Sequence, residues 1–365
     1  MNQVVQLVEH TPLQVDLNWD TAQRLKRVSG AQISVEMGDS QGSWLVRPDS
    51  KVGVVIVDGV SFVIAPKMGT LNAISMLDGD SQLVKWGNDS FSYDYSLDFL
   101  EAVVRVFLES LSRALAYGIR RDYVEKSEYL MGVRGRIDVK SLSSKPHLVG
   151  RIPCSFDEYT QDIPLMQMLL MACRRLMQIP NLTAESRQKL IELESRFEGV
   201  SESQTVLSWY ETWTPNRLER PYQRCVSFAA LILRSVSLSL VPGGLQSPTF
   251  LIDMNVLVEE FVSRRLVRKL DNRLNVELQR ELNLDTEGRV KIKPDILFYQ
   301  GKKSVLVADV KYKNVSSFNR AQNQDIYQVA TYARALGVNR GLIISCTAGE
   351  QKLDTLKFQE GDLEV

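Results

Sequence analysis

The pattern of apolar and polar positions changes character along the chain. In the first hundred residues it favours strands. Val52-Gly-Val-Val-Ile-Val-Asp-Gly-Val-Ser-Phe-Val-Ile64 is two apolar runs joined at Asp58-Gly59. That dipeptide tolerates the positive φ angles of a two-residue hairpin turn, and Pro66-Lys67 closes the second run. From about residue 98 the period lengthens to that of a helix. Asp98 and Glu101 have the spacing of a capping box. Leu100, Val103, Val104, Phe107, Leu108, Leu111 and Leu115 then form one face, which Gly118 can end. The same period predicts helices over about 165–177, 184–197 and 222–240. Between them, Gly132-Val-Arg-Gly-Arg-Ile-Asp138 reads as a Gly/Arg loop entering a strand.

Pro242-Gly243-Gly244 through Ser247-Pro248 is the clearest punctuation in the sequence. Beyond it the pattern predicts a helix over Met254–Leu270 and strands over about Asn275–Glu281, Val290–Tyr299 and Ser304–Val310. A second helix, Asn323–Leu336, and a buried strand, Gly341–Ser345, follow. The expected fold is a multidomain α+β chain: a β-rich N-terminal module (1–97), a mainly helical middle domain (98–246) and a C-terminal α/β domain (247–365).

Composition adds limits. A chain of 365 residues with 44% apolar and 24% charged positions can bury real cores. It has no apolar run of membrane-spanning length and no basic-then-apolar leader, so the expectation is a cytoplasmic protein with no membrane partner. Cys154, Cys173, Cys225 and Cys346 are far apart, as expected of reduced core thiols rather than a zinc site. Net charge is zero, yet residues 264–303 hold eleven Lys/Arg against six Asp/Glu. Such a local excess suits a phosphate backbone, although charged faces are also commonly just solvated.

The candidate chemistry lies in the same stretch. Pro294-Asp295 puts a carboxylate in an otherwise apolar segment, and Asp309-Val-Lys311 ends the next one. Side chains two apart on a strand share a face, so Asp309 and Lys311 point together. A hairpin across Gly301 would bring Asp295 to them. Two carboxylates at a strand end suit Mg²⁺, which takes hard oxygen ligands and keeps several waters. Lys311 could orient or deprotonate a water, or stabilise a pentavalent transition state. The same spacing also suits an edge-strand ion pair between Asp309 and Lys311 with Asp295 in a turn. His10 and His147 are the only histidines, which leaves no material near this segment for a Ser-His-Asp or His-metal site. The absence of a GxxxxGK[ST] loop argues against intrinsic nucleoside triphosphate hydrolysis.

Several separated pieces resemble one family. They are Gly132–Asp138, Phe156-Asp-Glu-Tyr-Thr-Gln-Asp162, Met254-Asn-Val-Leu-Val-Glu-Glu-Phe-Val262, Pro294-Asp295, Val307-Ala-Asp-Val-Lys-Tyr312 and Gln324-Asp-Ile-Tyr-Gln-Val-Ala-Thr-Tyr332. Over about residues 120–345 the chain resembles the McrC family, the nuclease subunits of McrBC-type modification-dependent restriction systems. The C-terminal domain resembles the PD-(D/E)xK nuclease superfamily. The Pro66-Lys67 hairpin resembles the extra N-terminal module of longer members.

The resemblance implies a Mg²⁺-dependent endonuclease cleaving methylated double-stranded DNA, with a McrB-like AAA+ GTPase or ATPase ring as partner. It casts Asp295 and Asp309 as metal-binding acids, Lys311 as the active-site lysine and Glu259 as an acid that can complete the metal shell. Gln324 and Gln328 become candidates for touching DNA, holding the lysine or capping the sheet edge. Arg134 and Arg136 become candidates for contacting the ring or DNA, which would make the middle domain the partner-binding part. One departure stands out: where the family has an asparagine near the start of the helix after Asp162, this chain has Met166 and Gln167. A non-catalytic adaptor of the ring and a stand-alone DNA repair nuclease are the competing expectations.

Overall fold

Asp58 and Gly59 both adopt positive φ, 50° and 77°, and join the strands Lys51–Val57 and Val60–Ala65 as an antiparallel hairpin with Val57 opposite Val60. In the computed structural model, residues 3–40, 42–78, 98–144, 150–180, 182–240, 246–270, 274–285, 287–312, 323–345, 355–358 and 363–365 are described. They form two compact units, one of residues 1–99 with 251–365 and one of residues 100–250. The structure thus groups the first and last of the three segments read from sequence. Pro242-Gly243-Gly244 and Cys346 lie outside the described residues. Among the described residues, no helix is long and apolar enough to cross a membrane.

In the first unit, Gln3–Val8 pairs in parallel with Val60–Ala65, and the strand Gln246–Asp253, which enters this unit at Leu251, lies beside Lys51–Val57. Side chains on both faces of the hairpin are buried almost throughout, which is why it reads as continuous apolar runs rather than alternation. Beside its strands this region also holds the helices Trp19–Ser29 and Thr70–Asp78, which its apolar pattern did not announce. Trp19–Ser29 buries only Thr21, Ala22, Leu25 and Ser29, so its apolar stripe is too narrow to stand out. Its start is fixed by Asn18, whose side chain accepts the Thr21 N–H at 2.8 Å.

The C-terminal part of this unit is a four-stranded sheet in the order Asn275–Leu278, Ile296–Gln300, Lys303–Lys311, Gly341–Ser345. The first two pairings are antiparallel and the last is parallel. The parallel step needs a crossover, which the helix Asn323–Leu336 supplies. Ile296, Phe298 and Ala308 pack with Val262, Leu266 and Leu270 of the helix Met254–Leu270. Leu297 and Val307 pack with Val329, Tyr332 and Ala333 of the second helix. Alternate strand residues therefore feed opposite faces, each covered by a helix. The strand expected over Val290–Tyr299 is in fact two pieces. Lys291–Ile292 pairs with Leu282–Asn283 in a separate ribbon, and Ile296–Gln300 joins the main sheet. Pro294, which has no N–H to donate, marks the break.

The second unit holds the helices Phe99–Leu115, Pro164–Met177, Ala184–Glu194, Val206–Thr212 and Gln223–Ser235. The helix expected to reach residue 240 stops at Ser235. Val236–Leu240 (Val-Ser-Leu-Ser-Leu, period two) is a strand paired with Gln246–Phe250. Among these helices lies a three-stranded sheet of Asp122–Leu130, Ile152–Thr160 and Arg136–Ile137. No residue of Asp122–Leu130 is fully buried, so no apolar period announced it. Cys154, Cys173 and Cys225 are free, buried thiols.

Candidate active site

The hairpin across Gly301, whose φ of 64° permits the tight return, places Ile296 opposite Ala308. Asp295 is one residue beyond that pair, and its Oδ2 accepts the Val310 N–H at 2.7 Å. Asp309 is 1% exposed. Lys311, on the same face of its strand, puts Nζ 2.6 Å from Asp309 Oδ2. The structure brings Asp295, Asp309 and Lys311 together at one end of the two central strands, beside the helix Asn323–Leu336.

Burial and electrostatics set the character of this cluster. Burial pushes the carboxyls of Asp295 and Asp309 above the ordinary range. The charge of Glu259 adds to this at Asp295, and the charges of Asp295 and Asp325 add to it at Asp309. The Val310 N–H and Lys311 oppose the shift without cancelling it. Burial works against the Lys311 ammonium, but Asp309, Asp325 and Asp295 together hold its pKa above the ordinary lysine value. Two acids that repel each other in a half-dry site invite a shared cation.

Their donor atoms are all carboxylate oxygens, which fits Mg²⁺ bound through two carboxylates and several waters. Among the described residues, no group of three or more His, Cys, Asp and Glu is gathered closely enough to hold a metal ion. Glu259 is near enough to act on Asp295, but its Oε1 accepts a hydrogen bond from Gln279 Nε2.

The two glutamines of the following helix part company. Gln328 Oε1 accepts from Lys311 Nζ at 3.0 Å, and its Nε2 donates to the Tyr332 hydroxyl at 2.7 Å. Gln324 is exposed. Arg134 and Arg136 lie in the other unit. The Arg134 guanidinium stacks 4.0 Å over the Phe156 ring and pairs with Glu158 at 3.5 Å, while Arg136 is exposed opposite Ser155. Between them, a Cβ on Gly135 would fall 2.4 Å from the Ser155 carbonyl oxygen, so only glycine lets this loop close on its neighbour. The basic excess at 264–303 is partly spent locally. Arg280 pairs with Glu277 at 2.6 Å, Lys291 with Glu281 and Arg289 with Glu287.

Sequence reasoning passed over three residues of the cluster. Asp325, 6% exposed in the first turn of its helix, contributes negative charge beside Lys311; a first-turn acid was its one visible signal. Tyr332 holds the far side of Gln328. Gln279 adopts a φ of 47°, rare for a non-glycine. Its N–H donates to the Asp295 carbonyl at 2.9 Å, and its side chain bridges Glu259 and Lys293.

The family described as "McrBC 5-methylcytosine restriction system component" matches residues 46–344. No curated protein matches this chain. Among solved structures it is similar to a chain of the refined half-complex from the tetradecameric assembly of Thermococcus gammatolerans McrB AAA+ hexamers with bound McrC. The TM-score is 0.59 at 20% identity, over 99% of this chain and 93% of that one. A second similarity is to the cryo-EM structure of the Thermococcus gammatolerans McrBC complex, with TM-score 0.46 and 21% identity over 74% of this chain and 89% of that one. The first likeness is one of fold.

Proposed function

This chain belongs to the McrBC 5-methylcytosine restriction system component family, and from that premise we propose that it is the Mg²⁺-dependent DNA-cleaving subunit of a McrBC-type restriction complex. The observation that carries the reading is the convergence of Asp295, Asp309 and Lys311 at one strand end, the two carboxyls both held high by burial and by neighbouring charge. The four-stranded sheet with a helix on each face supports assigning this part of the first unit to the PD-(D/E)xK class.

In this reading Asp295 and Asp309 would hold the ion, with Glu259 on the adjoining helix as an outer carboxylate. Bound there, Mg²⁺ supplies positive charge at the scissile phosphodiester and lowers the pKa of a water. The residues of the chain do the rest. The Val310 N–H fixes Asp295, and Asp309 is locked by its burial. Lys311 is held between Asp309 and Gln328, so its ammonium presents a donor to the developing charge on phosphate. Basic side chains of the 264–303 stretch that pair with no acid among the described residues, such as Lys302 and Lys303, would run along the duplex backbone.

The partner is a McrB-like AAA+ GTPase or ATPase ring, by likeness to the assembly in which McrB hexamers hold McrC. Arg134 and Arg136 are its proposed contacts. Their loop also exposes Met131 (85%), Val133 (59%) and Ile137 (43%), an apolar display that suits an interface.

The test is cleavage of methylated plasmid by the purified chain with its cognate ring, nucleoside triphosphate and Mg²⁺. Asp309→Ala and Lys311→Ala should each abolish it. Cleavage surviving in both would move the centre elsewhere, and cleavage without the ring would make this a stand-alone nuclease. Stimulated nucleotide hydrolysis with no cutting of any substrate would make it an adaptor.

A further inference from the structure

Tyr312 follows Lys311 directly, at the end of the strand that carries the site. It is 4% exposed and is held by the N-terminal part of its own unit. Its hydroxyl donates to Glu9 Oε1, and the Lys67 N–H donates to the same oxygen at 2.7 Å. Lys67 Nζ donates to the Tyr312 carbonyl at 2.9 Å and lies 3.9 Å from the centre of its ring. Glu9 is anchored in turn: its N–H donates to the Ala65 carbonyl at 3.1 Å, extending the pairing of Gln3–Val8 with Val60–Ala65.

This arrangement is a poor way to obtain stability alone. Glu9 is 1% exposed, and its second carboxylate oxygen, Oε2, is buried with no hydrogen-bond partner among the described residues. A carboxylate held dry and half-satisfied is costly, and an apolar side chain of similar volume would seal the strand end at less expense. What the polar cluster adds is geometry. It holds Tyr312, the residue bonded to Lys311, at its carbonyl, its ring and its hydroxyl. Anchoring that residue limits how far the Lys311 backbone, and with it the Cα–Cβ bond, can turn at the strand end. A lysine on a flexible stem needs that fixed base if its ammonium is to stay within reach of Asp309 and Gln328.

We propose that Glu9, Lys67 and Tyr312 are positioning residues for Lys311, which makes the N-terminal strands part of the cleaving centre rather than an appended module. The inference rests on the function proposed above, and its test is chosen to separate the two. In the full-length chain, Tyr312→Phe, Lys67→Met and Glu9→Gln are compared with wild type by three measurements. The first is acylation of each lysine by an activated acetate ester, read by peptide mass spectrometry with Lys189, whose side chain is 42% exposed, as internal standard. The others are melting temperature and DNA cleavage with the ring partner, separated into kcat and KM.

The expected result is a several-fold change in Lys311 labelling relative to Lys189 in Tyr312→Phe and Lys67→Met. In both, kcat should fall roughly ten- to a hundredfold at unchanged KM, as misplacement of a reacting group produces. Glu9→Gln, which can still accept both hydrogen bonds, should retain most of the wild-type behaviour. Lys311 labelling that stays at the wild-type ratio in all three variants, or that merely follows their melting temperatures, overturns the proposal. If wild type cuts no DNA under any condition, the proposed function falls, while the labelling ratios still decide whether Lys311 is positioned from the N-terminal strands.

Discussion

Two almost fully buried acids, one from each unit, are treated in opposite ways. Glu101 of the helical unit is 4% exposed and Asp309 of the site is 1% exposed. The Glu101 carboxylate accepts the Thr183 hydroxyl at 2.7 Å, the Thr183 N–H at 3.2 Å, the Ser186 hydroxyl at 2.6 Å and Arg105 Nε at 3.2 Å. Burial raises its pKa, but these donors win and the group is held below its ordinary value. Asp309 has Lys311 at 2.6 Å, yet burial and the charges of Asp295 and Asp325 leave it above its ordinary value. Depth of burial therefore does not separate a structural acid from a functional one. The supply of donors does. Where donors fill the carboxylate, the acid stitches helices together; where like charges surround it, the site is built for something that arrives later.

The largest test of this contrast is a pair of near-isosteric substitutions. Asp309→Asn removes a charge the site needs, so cleavage should fall by roughly a thousandfold or more. The melting temperature should hold or rise, because repulsion with Asp295 is relieved. Glu101→Gln should do the reverse. Cleavage per folded molecule should persist, while stability falls by about 2–3 kcal/mol as charge-assisted bonds are weakened inside the unit. Matched thermal melts and plasmid cleavage assays decide it. Equal losses of melting temperature would erase the distinction.

A pH series sharpens the structural half. A carboxyl whose folded pKa is lowered adds stability above its unfolded value, 4.5 for glutamate, and loses it as pH falls through the lower folded value. The stability gap between wild type and Glu101→Gln should therefore be flat from neutrality down to about pH 5 and close below that. Chemical denaturation at several pH values measures it. A gap that widens on acidification would mean that Glu101 is not held as its four donors require.

The two acids also differed in how visible they were from sequence. Asp309 and Lys311 share a face because strand period is two, and a glycine turn brought Asp295 to them; both relations are local and can be read from spacing. The helices Met254–Leu270 and Asn323–Leu336 were legible for the same reason, each having a broad apolar stripe. Glu101 read as half of a capping box, because its partners Thr183 and Ser186 lie more than eighty residues away. The Glu9–Tyr312 contact spans 303 positions and has no local signature at all. The strand Asp122–Leu130 escaped because none of its residues is fully buried, and the Val236–Leu240 strand because a short apolar run continues a helix as readily as it starts a strand.

The smallest expected effect falls on the two glutamines that spacing could not tell apart. Gln324 and Gln328 are one helical turn apart on one face, and DNA contact, lysine support and edge capping suited both equally. In the structure, Gln328 receives a hydrogen bond from Lys311 at 3.0 Å and passes one to Tyr332 at 2.7 Å, whereas Gln324 is exposed. Gln328→Ala leaves the Lys311 ammonium with Asp309 but frees it on the other side. A hydrogen bond to a charged group contributes about 1.5 kcal/mol or somewhat more, so kcat should fall about tenfold. KM for DNA should stay unchanged, because the lost contact is to Lys311 and not to the duplex. Gln324→Ala should leave kcat as it is and alter stability by no more than about 0.5 kcal/mol. If it acts at all, it should act on KM, as a surface contact to DNA would. Steady-state cleavage by the two variants, each saturated with ring partner and Mg²⁺, separates these outcomes. Equal effects on KM from both substitutions would assign both glutamines to the DNA surface and leave Lys311 supported by Asp309 alone.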